Sequence, residues 1–386
     1  MNQELSSFAA RLCFATARQA QGNEFDELAL ELFALQFQHN PAYRKICEAR
    51  GLTPRVVEHW TQIPAVPTGA FKELELSCIS PEERTAVFYS SGTTEQKPSR
   101  HFHNAESLAV YEASLWTWFV ANLRFKIYDL RSENNSALRT PHSAIVLTPP
   151  PAQAPHSSLV HMFETVRRKL GAAESVFVGQ IDTDCAWILD FNAVLAALND
   201  NLKFKIQNSK LVFGTAFSFV HLLDLMVERD LRVELPAGSR VMETGGYKNR
   251  SRLLPKAELH ALITERLGVP AENIICEYGM SELSSQAYDK EVRSQKSEVR
   301  RFQFPPWART QIVSPETGRE VADGETGLVR VFDLANVFSV AAIQTEDLGI
   351  RRGNGFELIG RAQLAEPRGC SLMAYSALRT PHSALK

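Results

Sequence analysis

The spacing of apolar residues near the start of the chain predicts helices. Apolar residues recur near helical spacing at Phe25, Leu28, Leu32, Leu35 and Ile46. Asn40-Pro41 interrupts this pattern, because proline cannot continue a helix that precedes it. We therefore expect residues 1–70 to form a helical N-terminal cap that is broken at this dipeptide.

A different rhythm follows the cap, in which short apolar runs alternate with amphipathic segments. The predicted strands are residues 144–148, 175–178, 210–213, 240–243 and 273–276. The predicted helices are residues 159–170, 185–198, 217–229 and 255–267. This alternation is typical of βαβ units, so residues 71–309 are predicted to form an α/β core with mainly parallel sheets flanked by helices. Ligands bind such sheets at the carboxyl ends of the strands.

From residue 310 onward, Val- and Ile-rich runs and tight turns predict a small β-rich subdomain over residues 310–375. The predicted strands are residues 310–313, 327–334, 340–344 and 356–359. Residues 318–324 contain two glycines and are predicted to be an ordinary hairpin connection.

The composition describes a foldable, soluble chain and argues against two classes of partner. Of 386 residues, 44% are hydrophobic and 22% are charged. The 42 basic and 44 acidic residues nearly cancel, so no strong field would attract nucleic acid or an anionic membrane. No run approaches the ~18 apolar residues of a membrane span, and the first residues lack a secretory pattern, which predicts a cytoplasmic protein.

The cysteines and histidines do not follow the spacing of a metal site or a disulfide framework. The six cysteines are scattered without a Cys-x-x-Cys pair. His101, His103, His156 and His161 have no cysteine or carboxylate at ligand spacing to complete a set. The sequence therefore predicts neither a zinc site nor disulfides.

One turn concentrates hydroxyl groups directly after an apolar run, residues 86–88. It contains Ser90, Ser91, Gly92, Thr93 and Thr94. The hydroxyl groups and the N–H groups around the glycine can bind phosphate, and Lys97 and Arg100 add positive charge. On this run alone, a solvated turn between a strand and a helix is an equally good interpretation.

Further candidate residues follow later predicted strands. They are Gly245, Gly246 and Tyr247 after one strand, Tyr278, Gly279, Met280, Ser281 and Glu282 after another, and Asp347 and Arg361 near the end. The glycines and the tyrosine can receive a flat ring, and Glu282 can bind Mg²⁺ or stabilise a helix N-terminus. Asp347, in a predicted acidic turn, can accept hydrogen bonds from ribose hydroxyls, and Arg361 offers a guanidinium to phosphate or ribose oxygens. Gly245-Gly246 can equally be a turn with a surface tyrosine.

Taken in order, these segments resemble the motifs of the adenylate-forming superfamily. Residues 90–94 resemble its phosphate loop, residues 278–282 its Tyr-Gly-x-Thr-Glu motif, residues 345–347 its Thr-Gly-Asp, and residues 360–361 the Gly-Arg before its hinge. The resemblance covers roughly residues 71–370. It implies the N-terminal domain fold of these enzymes, ATP and Mg²⁺ as cofactors, and activation of a carboxylic acid as acyl adenylate.

Two features narrow the resemblance. Fewer than thirty residues follow Gly360, so we expect the lysine-bearing C-terminal domain of the superfamily to be absent. Residues 155–162, 278–286 and 368–372 resemble the acyl-protein synthetases of bacterial bioluminescence. That resemblance implies a fatty acid substrate, Cys370 as the acyl-accepting thiol, and a partner acyl reductase. It also implies catalytic roles for Glu282 and Lys97; His161 either lines the carboxylate pocket or is a core histidine.

Two alternatives stay open at this point. An AMP-forming acyl- or aryl-CoA ligase would share the motifs, although the expected absence of the C-terminal domain argues against it. A non-catalytic scaffold subunit of a reductase complex is suggested by Glu95, which stands where the phosphate loop usually has glycine. The presence of Glu282, Asp347 and Arg361 argues against the scaffold.

An exact repeat marks the end of the chain. Residues 136–144 recur letter for letter as residues 376–384, with no similarity around either copy, which indicates a duplicated genetic element rather than a structural repeat.

We predict that residues 376–386 are poorly ordered and dispensable. A chain ending at Tyr375 should melt within about 2 °C of the full chain in differential scanning fluorimetry. A fall of more than about 4 °C would show that the tail contributes to the fold.

Overall fold

The computed structural model describes residues 2–18, 23–90, 97–123, 142–183, 186–199, 208–245, 254–294 and 297–362. Its contacts divide the chain into two compact units. The first contains the described residues of Met1–Ser90, Pro98–Arg124 and Tyr278–Glu366, and the second those of Ser91–Lys97 and Phe125–Glu277. The predicted boundaries at residues 70, 309 and 375 are a different division of the chain and stay predictions. The tail, residues 376–386, lies outside the described residues.

The helices of the first unit begin at the N-terminus. They are α1 (Gln3–Arg18), α2 (Asn23–His39), α3 (Pro41–Ala49), α4 (Ala70–Glu73) and α5 (Ala105–Asn122). The Asn40 side chain accepts a hydrogen bond from the Tyr43 N–H at 3.0 Å and so caps α3, whose first residue is Pro41. The predicted break at Asn40-Pro41 is confirmed.

Strands β2 (Ala86–Tyr89) and β3 (Arg100–His103) form an antiparallel hairpin in the first unit. The Ser90 N–H donates to the Ser99 carbonyl at 3.2 Å, and the Ser99 N–H donates to Ser90 Oγ at 2.9 Å. The hydroxyl-rich turn therefore connects two strands, and the expectation of a strand followed by a helix is wrong. Pairing along residues 86–89 holds residues 100–103 extended.

The larger sheet of the first unit is mainly antiparallel. Its strands are β1 (Val66–Pro67), β11 (Ala287–Ser294), β12 (Ser297–Gln303), β13 (Ala308–Val313), β14 (Thr326–Asp333), β15 (Ala342–Arg352) and β16 (Gly355–Arg361). They lie in the order β13–β14–β15–β16–β12–β11, and β1 pairs with β15 in parallel. The four strands predicted after residue 310 are confirmed. The hairpin connection predicted at residues 318–324 lies between the antiparallel strands β13 and β14, as expected.

The second unit contains a parallel sheet in the order β10–β9–β8–β4–β5. The strands are β4 (Ser143–Val146), β5 (Val176–Phe177), β8 (Lys210–Thr215), β9 (Arg240–Thr244) and β10 (Ile274–Tyr278), whose last residue belongs to the first unit. Every residue of β4 and β8 is buried. Burial on both faces explains why these strands have continuous apolar runs rather than alternating ones.

Helices and a small hairpin complete the second unit. They are α6 (Ser158–Leu170), α7 (Phe191–Asn199), α8 (Ala216–Glu228), α9 (Lys256–Leu267), β6 (Gly179–Ile181) and β7 (Trp187–Leu189). The helix predicted over residues 185–198 is wrong in its first part, because β7 pairs with β6. Asp190 Oδ1 accepts a hydrogen bond from the Ala193 N–H at 3.0 Å, which caps the helix and sets its later start.

The core of the second unit surrounds α8. Phe219, Leu222, Leu223 and Met226 on this helix are fully or almost fully buried. They belong to one apolar cluster that also contains residues of β8, β9 and α9, so the helices are fixed against the strands by hydrophobic packing. Within the described residues, no helix combines the length and the apolar character needed to cross a membrane.

Candidate active site

The Glu282 carboxylate is buried in the loop that follows β10, with 1% of the residue exposed. Ser99 Oγ donates a hydrogen bond to one carboxylate oxygen, Oε1, at 2.6 Å, and Ser281 Oγ donates to the other, Oε2, at 3.0 Å. Hydrogen bonds to both oxygens fix the orientation of the carboxylate and offset part of the cost of its burial. Ser99 also closes the β2–β3 hairpin, so the end of the hydroxyl-rich turn is joined directly to Glu282.

The backbone around Glu282 is held by two further side chains. His101 Nδ1 lies 2.7 Å from the Ser281 carbonyl oxygen, which can only accept, so the imidazole donates. Burial lowers the pKa of His101 below its ordinary value and so favours the neutral ring, in which Nδ1 carries the proton that this bond uses. Asn336 Nδ2 donates to the Glu282 carbonyl and to the Val340 carbonyl, both at 2.8 Å.

A buried carboxylate at the end of β14 supports a later part of the loop. Asp333 accepts hydrogen bonds from the Ser284 N–H at 2.9 Å and from Ser285 Oγ at 2.8 Å, while Ser284 Oγ donates to Asn336 Oδ1 at 2.8 Å. Burial raises the pKa of Asp333 to about 6, so its carboxylate is ionised at neutral pH and accepts these bonds.

Gln36 on α2 connects the helical N-terminus to this segment. Its amide Nε2 donates to the Asn336 carbonyl at 2.8 Å, and its Oε1 accepts from the Ala341 N–H at 2.9 Å. Since Asn336 in turn holds the Glu282 backbone, a side chain near the start of the chain braces the candidate site.

A second group of predicted residues meets at Asp347. Tyr278 donates its hydroxyl to Oδ2 at 2.9 Å, and Arg361 Nε donates to Oδ1 at 3.3 Å. Burial, with the negative charge of Asp347, raises the pKa of Tyr278 well above its ordinary value, so the phenol stays a donor. Arg361 also forms an ion pair with Glu346 at 3.0 Å. The two groups on Asp347 orient its carboxylate.

The predicted turn at Asp347 is wrong, because this residue lies inside strand β15. It stands directly opposite Arg361 of β16 in the antiparallel register, which explains their contact. The register shifts between Leu348 and Gly349, immediately after Asp347. Consecutive acidic residues suggest a turn in a sequence. Here they lie in a strand, and Arg361 on the neighbouring strand balances their charge.

The carboxyl end of β9 carries another predicted position, in the second unit. Gly245 has φ +80°, a conformation that L side chains rarely adopt. Just before it, Thr244 Oγ1 donates to Glu277 of β10, both residues being buried. Burial raises the pKa of Glu277 to about 7, with the negative charge of Glu243 adding to the shift.

The structure describes only part of the predicted site. Ser90 is half-buried at the end of β2, Gly279 is exposed, Met280 is half-buried, Lys97 is exposed, and His161 is half-buried on α6. The following predicted residues lie outside the described residues: Ser91, Gly92, Thr93, Thr94, Gly246, Tyr247 and Cys370. Their roles, and the roles assigned to the described positions, stay predictions.

The contacts that Ser99, His101, Asp333 and Asn336 make with the loop were not predicted from the sequence. The sequence held a signal for two of them, because Asp333 and Asn336 are polar residues in a mainly apolar run, residues 331–343. Polar side chains in such a run are buried, and buried polar groups need hydrogen-bond partners.

The fold of the chain is similar to that of adenylate-forming ligases of known structure. A solved structure of 2-hydroxyisobutyryl-CoA ligase, in an open conformation with 2-HIB-AMP and CoA, matches with a TM-score of 0.59 and 14% identity, covering 89% of this chain and 76% of that one. The same ligase in a postadenylation state matches with a TM-score of 0.59 and 13% identity, over 88% and 67% of the two chains. The predicted fold class is confirmed; the expected absence of the lysine-bearing domain stays a prediction.

Sequence comparison narrows the class to one family. The sequence model of the family described as acyl-protein synthetase, LuxE, matches residues 7–107 and 151–379, and the chain belongs to this family. It is similar to the long-chain-fatty-acid–luciferin-component ligases of Aliivibrio fischeri and Vibrio harveyi. The former is 26% identical over 90% of this chain and 86% of the relative, and the latter 23% identical over 92% and 88%. The predicted family and its enzyme class are confirmed.

The buried Glu277 gives a prediction for stability against pH. Its folded pKa of about 7 exceeds the ordinary value of 4.5, so the folded chain binds the proton more tightly than the unfolded chain. This stabilisation is fully present below pH 4.5 and is lost as pH rises through 7. Glu277→Gln mimics the protonated form, so its stability relative to the parent chain should rise between pH 5 and pH 8, by at most about 3 kcal/mol.

Urea unfolding at several pH values measures this difference. The exposed Glu272→Gln is the control and should show no such pH dependence. A constant difference between Glu277→Gln and the parent chain across this range would contradict the raised pKa.

Proposed function

We propose that this protein activates a carboxylic acid, a long-chain fatty acid, with ATP to form an acyl adenylate and pyrophosphate. The acyl group then passes to Cys370 as a thioester and onward to a partner acyl reductase. Family membership supports the acid-activating step, and the names of the two relatives support the fatty acid. The observation that carries the proposal is the fixed Glu282 carboxylate on the loop that follows β10.

In the first step, an oxygen of the acid attacks the α-phosphorus of ATP and the bond to pyrophosphate breaks. The negative charge around the phosphates must be neutralised, and the rate gain comes from positioning and electrostatics. Glu282 suits Mg²⁺, which prefers oxygen ligands and often bridges to substrate phosphates. A carboxylate has about four lone-pair positions, so accepting the bonds from Ser99 and Ser281 is compatible with binding a metal. Bound Mg²⁺ would supply charge neutralisation.

Asp347 is proposed to accept hydrogen bonds from the ribose hydroxyls. Tyr278 and Arg361 hold its two oxygens from either side, so the carboxylate is oriented before the nucleotide binds. Arg361 is the proposed cation near the ribose or phosphate. Gly245, with its positive φ, begins the segment proposed to receive the adenine ring.

The hydroxyl-rich turn and Lys97 are proposed to hold the departing pyrophosphate. The two hydrogen bonds between Ser90 and Ser99 fix the ends of this turn, and Ser99 ties one end to Glu282. His161 is proposed to lie beside the carboxylate of the acid.

In the second step, the thiolate attacks the carbonyl carbon of the mixed anhydride, the bond to AMP breaks, and a thioester forms. Burial raises the pKa of Cys47 to about 11 and that of Cys78 to about 12. Both thiols are therefore protonated at neutral pH and poor nucleophiles. This supports an acceptor elsewhere, and Cys370 is the proposed one.

A second candidate function is a CoA ligase, because the solved structures described above are of a CoA ligase. In that case free CoA, rather than a cysteine of the chain, would accept the acyl group and AMP would be released only when CoA is present.

We predict that MgATP and a radiolabelled long-chain fatty acid acylate the protein itself. The label should survive a denaturing gel, be removed by hydroxylamine as expected for a thioester, and be lost in Cys370→Ser while pyrophosphate release continues. Cys78→Ser, at a half-buried thiol, is the matched control and should be acylated like the parent chain.

Three other outcomes would contradict parts of the proposal. Acylation that persists in Cys370→Ser would assign the acceptor to another residue. Pyrophosphate release without protein acylation, together with CoA-dependent AMP release, would establish the CoA ligase. Absence of pyrophosphate release and of any thermal shift with ATP would favour the scaffold subunit.

A further inference from the structure

Three potential metal ligands converge in the second unit, in a cluster that the proposed reaction does not use. They are Glu243 on β9, His260 on α9 and Cys276 on β10, and all three residues are buried. Cys276 Sγ lies 2.9 Å from Glu243 Oε1 and 3.6 Å from His260 Nε2. His260 Nε2 lies 3.5 Å from the same oxygen, Glu243 Oε1.

This geometry is that of a ligand set rather than of an activated cysteine. In a nucleophilic triad the carboxylate binds the imidazole nitrogen that faces away from the thiol. Here the carboxylate oxygen approaches Nε2, the nitrogen that also faces the thiol. Separations of this size allow one ion to lie about 2.0–2.3 Å from all three atoms, which are the bond lengths of zinc to nitrogen, oxygen and sulfur.

The charges of the site also suit a divalent ion. Zn²⁺ with the Glu243 carboxylate, a Cys276 thiolate and a neutral His260 has no net charge, which a buried site requires. Binding releases the thiol proton to solvent. Lys256 Nζ lies 3.4 Å from Glu243 Oε1, and its side chain is 42% exposed, so the ammonium can move into solvent when the ion enters.

We propose that Glu243, His260 and Cys276 form a zinc site. Sulfur, nitrogen and oxygen ligands together favour Zn²⁺ over Mg²⁺ or Ca²⁺, which take oxygen ligands. The site would tie α9 to strands β9 and β10. Because Glu243 lies two residues before Gly245, the ion would also stabilise the end of β9 from which the proposed adenine-binding segment starts.

The ligands come from a strand, a helix and a strand. Sequence spacing could not identify them, because gaps of this length match no compact zinc motif. The expectation that the sequence contains no zinc site rested on that spacing alone. Parallel pairing of β9 with β10 places Glu243 directly beside Cys276 in the sheet.

Metal titration of the chelator-treated full chain tests the proposal. The parent chain should bind about one Zn²⁺, and Co²⁺ in its place should give a thiolate-to-cobalt charge-transfer band. In Cys276→Ser the band should disappear, and Zn²⁺ affinity should fall at least about tenfold. Cys78→Ser and the exposed His221→Ala are matched controls and should bind like the parent chain. Absence of the band in the parent chain, or its persistence in Cys276→Ser, would overturn the assignment.

A measurement on the parent chain covers the case in which Cys276→Ser does not fold. Zn²⁺ should slow iodoacetamide labelling of Cys276, read by peptide mass spectrometry, at least about tenfold, because the metal holds the thiolate. Labelling of Cys78 should be unchanged. Cys276 that is labelled in the chelator-treated chain, and equally fast when Zn²⁺ is present, would overturn the proposal.

Discussion

The burial of one carboxylate constrains much of the first unit. A charged group removed from water is costly unless hydrogen bonds replace its solvation. Glu282 receives those bonds from Ser281 beside it and from Ser99, which lies 183 positions away in the sequence. Since Ser99 closes the β2–β3 hairpin, the carboxylate and the hydroxyl-rich turn are fixed together.

The same constraint extends outward through the backbone. Asn336 holds the Glu282 carbonyl, and Gln36 braces Asn336 from α2. Asp333 binds Ser284 and Ser285, further along the loop. Such a network is rigid only when each member is satisfied, because an unpaired polar group in the interior is costly. The helical N-terminus therefore contributes to the site through hydrogen bonds and not only as a cap.

Local pattern was sufficient for much of the fold. The buried strands of the parallel sheet and the helices α6, α8 and α9 follow from apolar runs and helical spacing. The predicted helix was wrong around Trp187 because a short apolar run fits either a helix or a strand. Pairing with β6 makes this run a strand. Strands β11 and β12 were not predicted because they contain charged residues such as Asp289 and Arg300. These two residues form an ion pair only when the two strands lie side by side.

The residues of the candidate site also fall into two groups, those that the sequence predicts and those that it does not. Tyr278, Glu282, Asp347 and Arg361 could be found from the order of short motifs along the chain. Their partners Ser99, His101 and Asn336 could not, because each acts through a contact that pairs distant segments. The order of motifs identifies candidate site residues, whereas the residues that position them become visible only when the chain is folded.

The exchange of radiolabelled pyrophosphate into ATP, measured with saturating fatty acid, tests the central claim most directly. It reports adenylate formation alone and does not depend on the acyl acceptor. Glu282→Gln keeps the shape of the side chain but removes its charge, so exchange should fall by about a hundredfold or more. Glu316→Gln, at an exposed position of the same unit, should exchange like the parent chain. Exchange by Glu282→Gln within about twofold of the parent chain would contradict the account.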